Sequence, residues 1–227
     1  MITIENLYLS YGKKKVIESL DLTISENTIN GVVGLNGSGK TTLLNAIYGL
    51  KTIESGIIRW NGEKITKKEV SFLVTEPFFY SNITGNEYLS LFKNGSFDTN
   101  SWNELFLLPL DQIVDEYSTG MKKKLAILSV LKQDKTIIIL DEPFNGLDIE
   151  TCRTIRSILL GLKEKSKTII ITSHIIETLT NLCDCIHYLE GGKILFSKEK
   201  QEFKQFEKEL FEKLENKSMK LIAELLR

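Results

Sequence analysis

Apolar and polar residues alternate in two stretches near the start of the chain, Ile2 to Leu7 and Leu20 to Ile24. Turn signals at Gly12-Lys13 and Glu26-Asn27 bound them, which predicts a small antiparallel layer. A short β-branched run, Ile29 to Val33, then leads through glycines into Leu43 to Tyr48, which reads as a helix stopped by Gly49. Ser55-Gly56 opens another alternating strand, Ile57 to Trp60, and Asn61-Gly62 is a hairpin signal of the two-residue primed type. Val70 to Val74 reads as a buried strand ended by Glu76-Pro77, since proline cannot donate to a ladder and restricts its predecessor.

From Phe78 to about Lys132 strand patterns give way to helical spacing, in Asn86 to Phe92, in Trp102 to Leu107 and in Lys122 to Leu131. This predicts a helical lobe over 77–132, inserted into an α/β core of 1–76 and 133–197. The lobe's aromatics (Phe78, Phe79, Tyr80, Phe92, Phe97, Trp102) are expected in its core rather than on a partner surface. Thr136 to Leu140 is continuously apolar or β-branched, as in a parallel strand buried on both faces. A helix over Ile149 to Lys163, a strand over Thr168 to Thr172, a helix over Ile175 to Cys183 and a hairpin around Gly191-Gly192 complete the core. From Lys198 to Arg227 the chain is strongly charged, with apolar residues at Phe203, Phe206, Leu210, Leu214, Leu221, Ile222 and Leu225. That spacing predicts an amphipathic helical extension broken near Asn216 to Ser218, docking on the chain's own core or on a second subunit.

The candidate chemistry begins at Gly34-Leu35-Asn36-Gly37-Ser38-Gly39-Lys40-Thr41-Thr42, which is G-x-x-x-x-G-K-[ST] between a strand and a helix. The glycines allow consecutive backbone N–H groups to face one concavity, and the helix N-terminus adds positive potential, so the segment suits a polyphosphate. Lys40 can reach the β- and γ-phosphates, and the Thr41 hydroxyl can be a ligand of Mg²⁺. Asp141 and Glu142 follow the Thr136–Leu140 strand, at the edge where ligands bind in open α/β sheets. Asp141 is read as the Mg²⁺ anchor and Glu142 as the group that orients or polarises an attacking water. His174, one of two histidines, ends the Thr168–Thr172 strand at the same edge and is read as a γ-phosphate contact. Tyr11, in the first turn, suits base stacking, though tyrosines are also ordinary at strand ends.

Composition narrows the setting. The 227 residues suffice for one large α/β domain, and a net charge of −1 gives no basic footprint, so no nucleic acid is expected as partner. Cys152, Cys183 and Cys185 lack zinc-site spacing, and no signal peptide is evident at Met1 to Glu5; reduced packing thiols in a cytoplasmic protein are expected. The longest apolar runs fall far short of the roughly 20 residues needed to span a bilayer. Any membrane work would be done through a partner.

Taken in order along nearly the whole chain, these segments resemble the ATP-binding subunit of an ABC transporter. In that resemblance Tyr11 is the base-stacking loop, Gly34 to Thr42 the P-loop and Ser118-Thr119-Gly120-Met121 the signature. Thr136 to Glu142 is the Walker B strand, Asn145 to Asp148 the loop that follows, and His174 the switch histidine. The resemblance implies a P-loop NTPase fold with a mixed, mainly parallel sheet, a small antiparallel β layer and an inserted helical lobe. It further implies an ATPase using ATP and Mg²⁺, peripheral on the inner face of the cell membrane, that powers a separate transmembrane permease. The mechanism it implies pairs two subunits, a homodimer or this chain with a similar subunit, so that Ser118, Gly120 and Met121 of one cover ATP on the other. Two departures stand out. The signature reads Tyr117-Ser118-Thr119-Gly120-Met121 where most members have Leu-Ser-Gly-Gly-Gln, a form resembling bacterial exporter subunits. Thr75 stands where members place a glutamine that contacts Mg²⁺ and links lobe to core, which makes Thr75 a further candidate at the metal. Other readings are a soluble ABC-type switch on a ribosome or DNA complex, and a hydrolysis-poor nucleotide-binding subunit. The switch class usually carries two cassettes or a long coiled-coil insertion, and neither is evident in this sequence.

Overall fold

The computed structural model describes residues 1–209. The N-terminal alternation becomes strands β1 (Ile2–Tyr11) and β2 (Lys14–Ile24), which pair antiparallel across the Gly12 turn. β4 (Ser55–Trp60) and β5 (Glu63–Lys64) extend this layer into a four-stranded sheet of order β2-β1-β4-β5. Between the last two, Asn61 (φ +52°) and Gly62 (φ +83°) both lie in the left-handed region, as a primed two-residue turn requires.

The second sheet has six strands in the order β10-β9-β3-β8-β7-β6. These are β3 (Ile29–Val33), β6 (Val70–Leu73), β7 (Ile137–Leu140), β8 (Thr168–Ser173), β9 (Cys185–Glu190) and β10 (Lys193–Glu199). All neighbouring pairs are parallel except the β9–β10 hairpin. The fold is thus α/β, with a mixed, mainly parallel sheet beside a small antiparallel one.

Helix α1 (Lys40–Tyr48) packs between the two sheets. Its Leu43, Leu44, Ala46 and Ile47 share a core with Leu7, Leu20 and Ile24 of the small sheet and with Val32, Ile137, Ile139 and Ile170 of the large one. Ile138, Leu140, Ile169 and Ile171 point the other way, into a core with α4 (Thr119–Lys132), α5 (Ile149–Glu164) and α6 (Ile176–Thr180). Burial on both faces explains why β7 is continuously apolar and why β8 carries three isoleucines in succession, Ile169 to Ile171.

The lobe adds α2 (Gly85–Ser90), started by a Thr84/Glu87 capping box, and α3 (Thr99–Asn103), capped by Asp98. Three helices expected from spacing differ in extent. The one expected over 102–107 lies earlier, because Asp98 starts it and the Asn103 side chain closes the next turn onto both backbone groups of Leu108. The one expected over 86–92 ends at Ser90. The one expected over 175–183 ends at Thr180, where Asn181 turns its amide back onto the Glu177 carbonyl.

Two lobe aromatics correct the expectation of a common core. Phe79, Phe92, Phe97 and Trp102 pack against it, but Phe78 is 74% exposed and Tyr80 58%. The segment after Pro77 has no regular structure, so neighbouring rings face opposite ways. Phe79 turns in against Tyr88, while Phe78 and Tyr80 meet edge to face on the surface at 5.3 Å. At the other end of the described chain, Phe203 and Phe206 are buried beside Tyr188 and Phe196, so residues 203–209 dock on the chain's own core. The expected apolar positions from Leu210 onward, and the break at 216–218, lie outside the described residues.

Candidate functional site

Strand order decides what meets what. β3, β8, β7 and β6 lie side by side and parallel, so the loops after them share one edge: Gly34 to Lys40, Ser173-His174, Asp141-Glu142 and Thr75. From these loops Lys40, Thr75, Glu142 and His174 line a cleft of about 880 Å³, completed by Tyr11, Lys14, Lys15, Val16 and Gly191-Gly192, while Asp141 is fully buried behind them.

The glycine-rich loop folds as its composition requires. Gly39 sits at φ +109°, and a Cβ there would come within 2.8 Å of Ile17. A Cβ on Gly34 would stand 2.3 Å from the Leu189 carbonyl oxygen, so this strand end tolerates no side chain. Asn36, Gly37, Gly39, Lys40, Thr41 and Thr42 line the cleft at the N-terminus of α1, while Gly34 and Ser38 do not line it. The Lys40 ammonium is buried, donating to the carbonyls of Gly34 (2.7 Å) and Leu35 (3.3 Å) and lying 3.9 Å from Glu142 Oε1. Burial lowers its pKa below the ordinary lysine value, opposed by the charges of Glu142 and Asp141.

Asp141 is fully buried and takes three hydroxyl donors. Thr41 Oγ1 (2.7 Å) and Thr75 Oγ1 (2.6 Å) converge on Oδ2, and Thr172 Oγ1 donates to Oδ1 at 2.5 Å. Thr172 also accepts the Glu142 N–H at 2.9 Å. Glu142 itself adopts φ +49°, an uncommon conformation for a non-glycine residue, and its Oε2 lies 3.1 Å from His174 Nδ1. Tyr11 stands at the cleft's rim, about half exposed, with Lys51 Nζ 4.1 Å above one ring face.

The signature residues are elsewhere. Ser118 caps α4 by accepting the Met121 N–H at 3.2 Å, and Ser118, Gly120 and Met121 do not line the cleft. Two residues bearing on the site escaped the sequence patterns. Thr172 looks like one more β-branched strand residue, and Lys123 falls inside the run Lys122-Lys123-Lys124, which resembles a solvated face. The available signal for Lys123 was its spacing, four residues before Ile127 and seven before Val130, both buried.

The three cysteines are free thiols. Burial raises the pKa of Cys183 strongly and that of Cys185 to about 12, so both stay protonated. Asp184 between them is held by the Ile29 N–H and by Lys163. Among the described residues no helix is long and apolar enough to cross a membrane.

Known proteins resemble this chain over most of its length. A family model described as ABC transporter matches residues 17–145. A lantibiotic transport ATP-binding protein of Streptococcus pyogenes is 30% identical over 212 residues, covering 88% of this chain and 91% of that one. A bacitracin transport ATP-binding protein of Bacillus licheniformis is 32% identical over 209 residues, covering 86% and 68%. Among solved structures, an ATP-binding subunit of an ABC transporter superposes with a TM-score of 0.83 at 24% identity, over 91% of this chain and 93% of that one. A dimeric bacterial ABC transporter cassette superposes with a TM-score of 0.78 at 21% identity, over 88% and 98%.

Proposed function

The chain belongs to the ABC transporter family, and from that premise we propose that the cleft at the C-terminal edge of the large sheet is its ATP site. The protein is an ATP-binding, ATP-hydrolysing subunit that powers transport through a separate membrane partner. The observation that carries the site assignment is the convergence of the P-loop, Glu142 and His174 on one cleft, with Asp141 tied to its lining by the Thr41 and Thr75 hydroxyls.

ATP would lie with its base against the free face of Tyr11 and its phosphates over the N–H groups of the P-loop and α1. Lys40 would exchange the Gly34 and Leu35 carbonyls for phosphate oxygens, a better match for a buried cation. The hydroxyls of Thr41 and Thr75 with the Asp141 carboxylate make an all-oxygen set, which fits Mg²⁺, and Thr41 and Asp141 would hold it with Thr75 beside them. When bound, the ion neutralises charge that develops on the β- and γ-phosphates. Glu142 would orient the attacking water and accept its proton as the bond to the β–γ bridging oxygen breaks, leaving ADP and phosphate. His174 would hold Glu142 and reach the γ-phosphate.

Ser118, Gly120 and Met121 lie outside the cleft, so they would complete a site from a second subunit, either a copy of this chain or a similar one. The exposed Phe78 and Tyr80, beside a groove lined by Tyr48, Phe72 and Val130, would offer the membrane partner an apolar anchor on the cytoplasmic side.

Steady-state phosphate release by purified wild-type and Glu142→Gln protein tests the assignment. Turnover is expected to fall by roughly 10²-fold or more in the variant. A Glu142→Gln rate equal to wild type would overturn the role of Glu142, and a wild-type rate at background would favour the hydrolysis-poor reading.

A further inference from the structure

Lys123 is only 5% exposed, yet it sits on lobe helix α4 between the half-buried Lys122 and Lys124. Among the described residues its ammonium makes one hydrogen bond, to the Thr75 carbonyl at 3.1 Å, although it carries three donors. No carboxylate among the described residues pairs with it within 4 Å, and burial lowers its pKa against the opposing pull of Asp141 and Glu142. A buried ammonium so thinly partnered is worse for folding than a methionine of similar length. Its presence therefore points to what it holds.

It holds a single residue that ends at the site. Thr75 takes the Lys123 ammonium on its main-chain oxygen and gives its own hydroxyl to Asp141 Oδ2, the oxygen that also accepts from Thr41. Lobe and carboxylate are thus joined through one threonine, at the position where the resemblance places a longer glutamine. The reach that Thr75 lacks is supplied from the opposite side, by a long cation on the lobe.

We propose that Lys123 is a positioning residue for ATP hydrolysis: by gripping the Thr75 carbonyl from the helical lobe, it sets the Thr75 hydroxyl on Asp141 and makes the carboxylate's placement depend on where the lobe lies. The proposal rests on the ATPase reading above. Lys123 touches neither nucleotide nor water in this scheme, and its effect passes through Thr75 alone.

The test is a double-mutant cycle on the full chain with Lys123→Met and Thr75→Val, read as kcat and KM for ATP, thermal unfolding, and affinity for a fluorescent ATP analogue with EDTA or with Mg²⁺. Each single variant is expected to lower kcat about tenfold with KM within about twofold, and the double variant to fall no more than about twofold below Thr75→Val. Lys123→Met should unfold at or above the wild-type temperature, as loss of a buried charge predicts. Affinity in EDTA should match wild type, while the tightening produced by Mg²⁺ should be smaller. A Lys123→Met kcat within twofold of wild type, or single effects that multiply to about a hundredfold in the double variant, would overturn the proposal. If wild-type protein releases phosphate only at background, the ATPase reading fails instead. The Mg²⁺-dependent tightening then still decides the Lys123 assignment, equal values in variant and wild type overturning it.

Discussion

Thr172 ties the two acidic residues of the site to the neighbouring strand, and replacing it with valine isolates that tie. Its hydroxyl donates to Asp141 Oδ1 and accepts the Glu142 N–H, with all three residues buried. Valine keeps the shape and removes both bonds. A hydrogen bond to a charged buried group is worth about 1.5–3 kcal/mol, and a buried N–H left without an acceptor costs about 1–3 kcal/mol. Asp141 keeps its donors from Thr41 and Thr75 on the other oxygen, so the lower half of the combined range is appropriate, about 3 kcal/mol. For a domain of this size that lowers Tm by about 6–12 °C. Glu142 is held at φ +49° in part by the lost bond, so its carboxylate should wander and kcat should fall at least about tenfold. Thr172→Ser is the control, because it keeps both bonds and sheds one methyl, at about 1 kcal/mol. Differential scanning fluorimetry and phosphate release read both effects. Valine and serine variants that unfold within 2 °C or so of each other and turn over alike would refute the tie.

Other predictions are independent of that bond. Tyr11→Ala should weaken binding of a fluorescent ATP analogue by about 1 kcal/mol, roughly fivefold in Kd, because base–aromatic stacking is of that order; unchanged affinity would remove Tyr11 from the site. Burial lowers the pKa of His187 from 6.5 to about 4, with Nε2 against Asn30 Oδ1 and Nδ1 against Ser197 Oγ. The unfolded chain therefore takes up a proton near pH 6.5 that the folded chain refuses until about 4. The resulting stability is fully present above pH 6.5 and is lost as pH falls through this window, by about 2–3 kcal/mol at pH 4.5. Urea midpoints for wild type and His187→Gln should converge as pH falls from 7 to 4.5; parallel curves would contradict the assignment.

Much of this was legible in the sequence because the chemistry is local. The P-loop declares itself through adjacent glycines, lysine and threonine, and Asp141-Glu142 through their place after an apolar strand. Convergence at one edge follows from parallel strands, which continuous apolar runs such as 136–140 imply. What was not legible depends on direction rather than spacing. Phe78 and Tyr80 share the composition of a core aromatic cluster, and only the irregular backbone after Pro77 turns them outward while Phe79 turns in. Lys123 is hidden by its charged neighbours, because a lysine run looks solvated whichever member faces inward. Thr172 reads as strand filler until its hydroxyl is seen between two carboxylate-bearing residues. Helix ends escape hydrophobic periodicity where single side chains, Asn103 and Asn181, close the turns.

The central claim is that ATP binding at this cleft serves a membrane protein. The most direct measurement is a pull-down of tagged Glu142→Gln protein from detergent-solubilised membranes of its own cell, with and without ATP. The account predicts recovery of a multi-span membrane protein, reduced when Phe78 and Tyr80 are both changed to serine. Recovery of ribosomes or DNA-bound complexes with no membrane protein would contradict it.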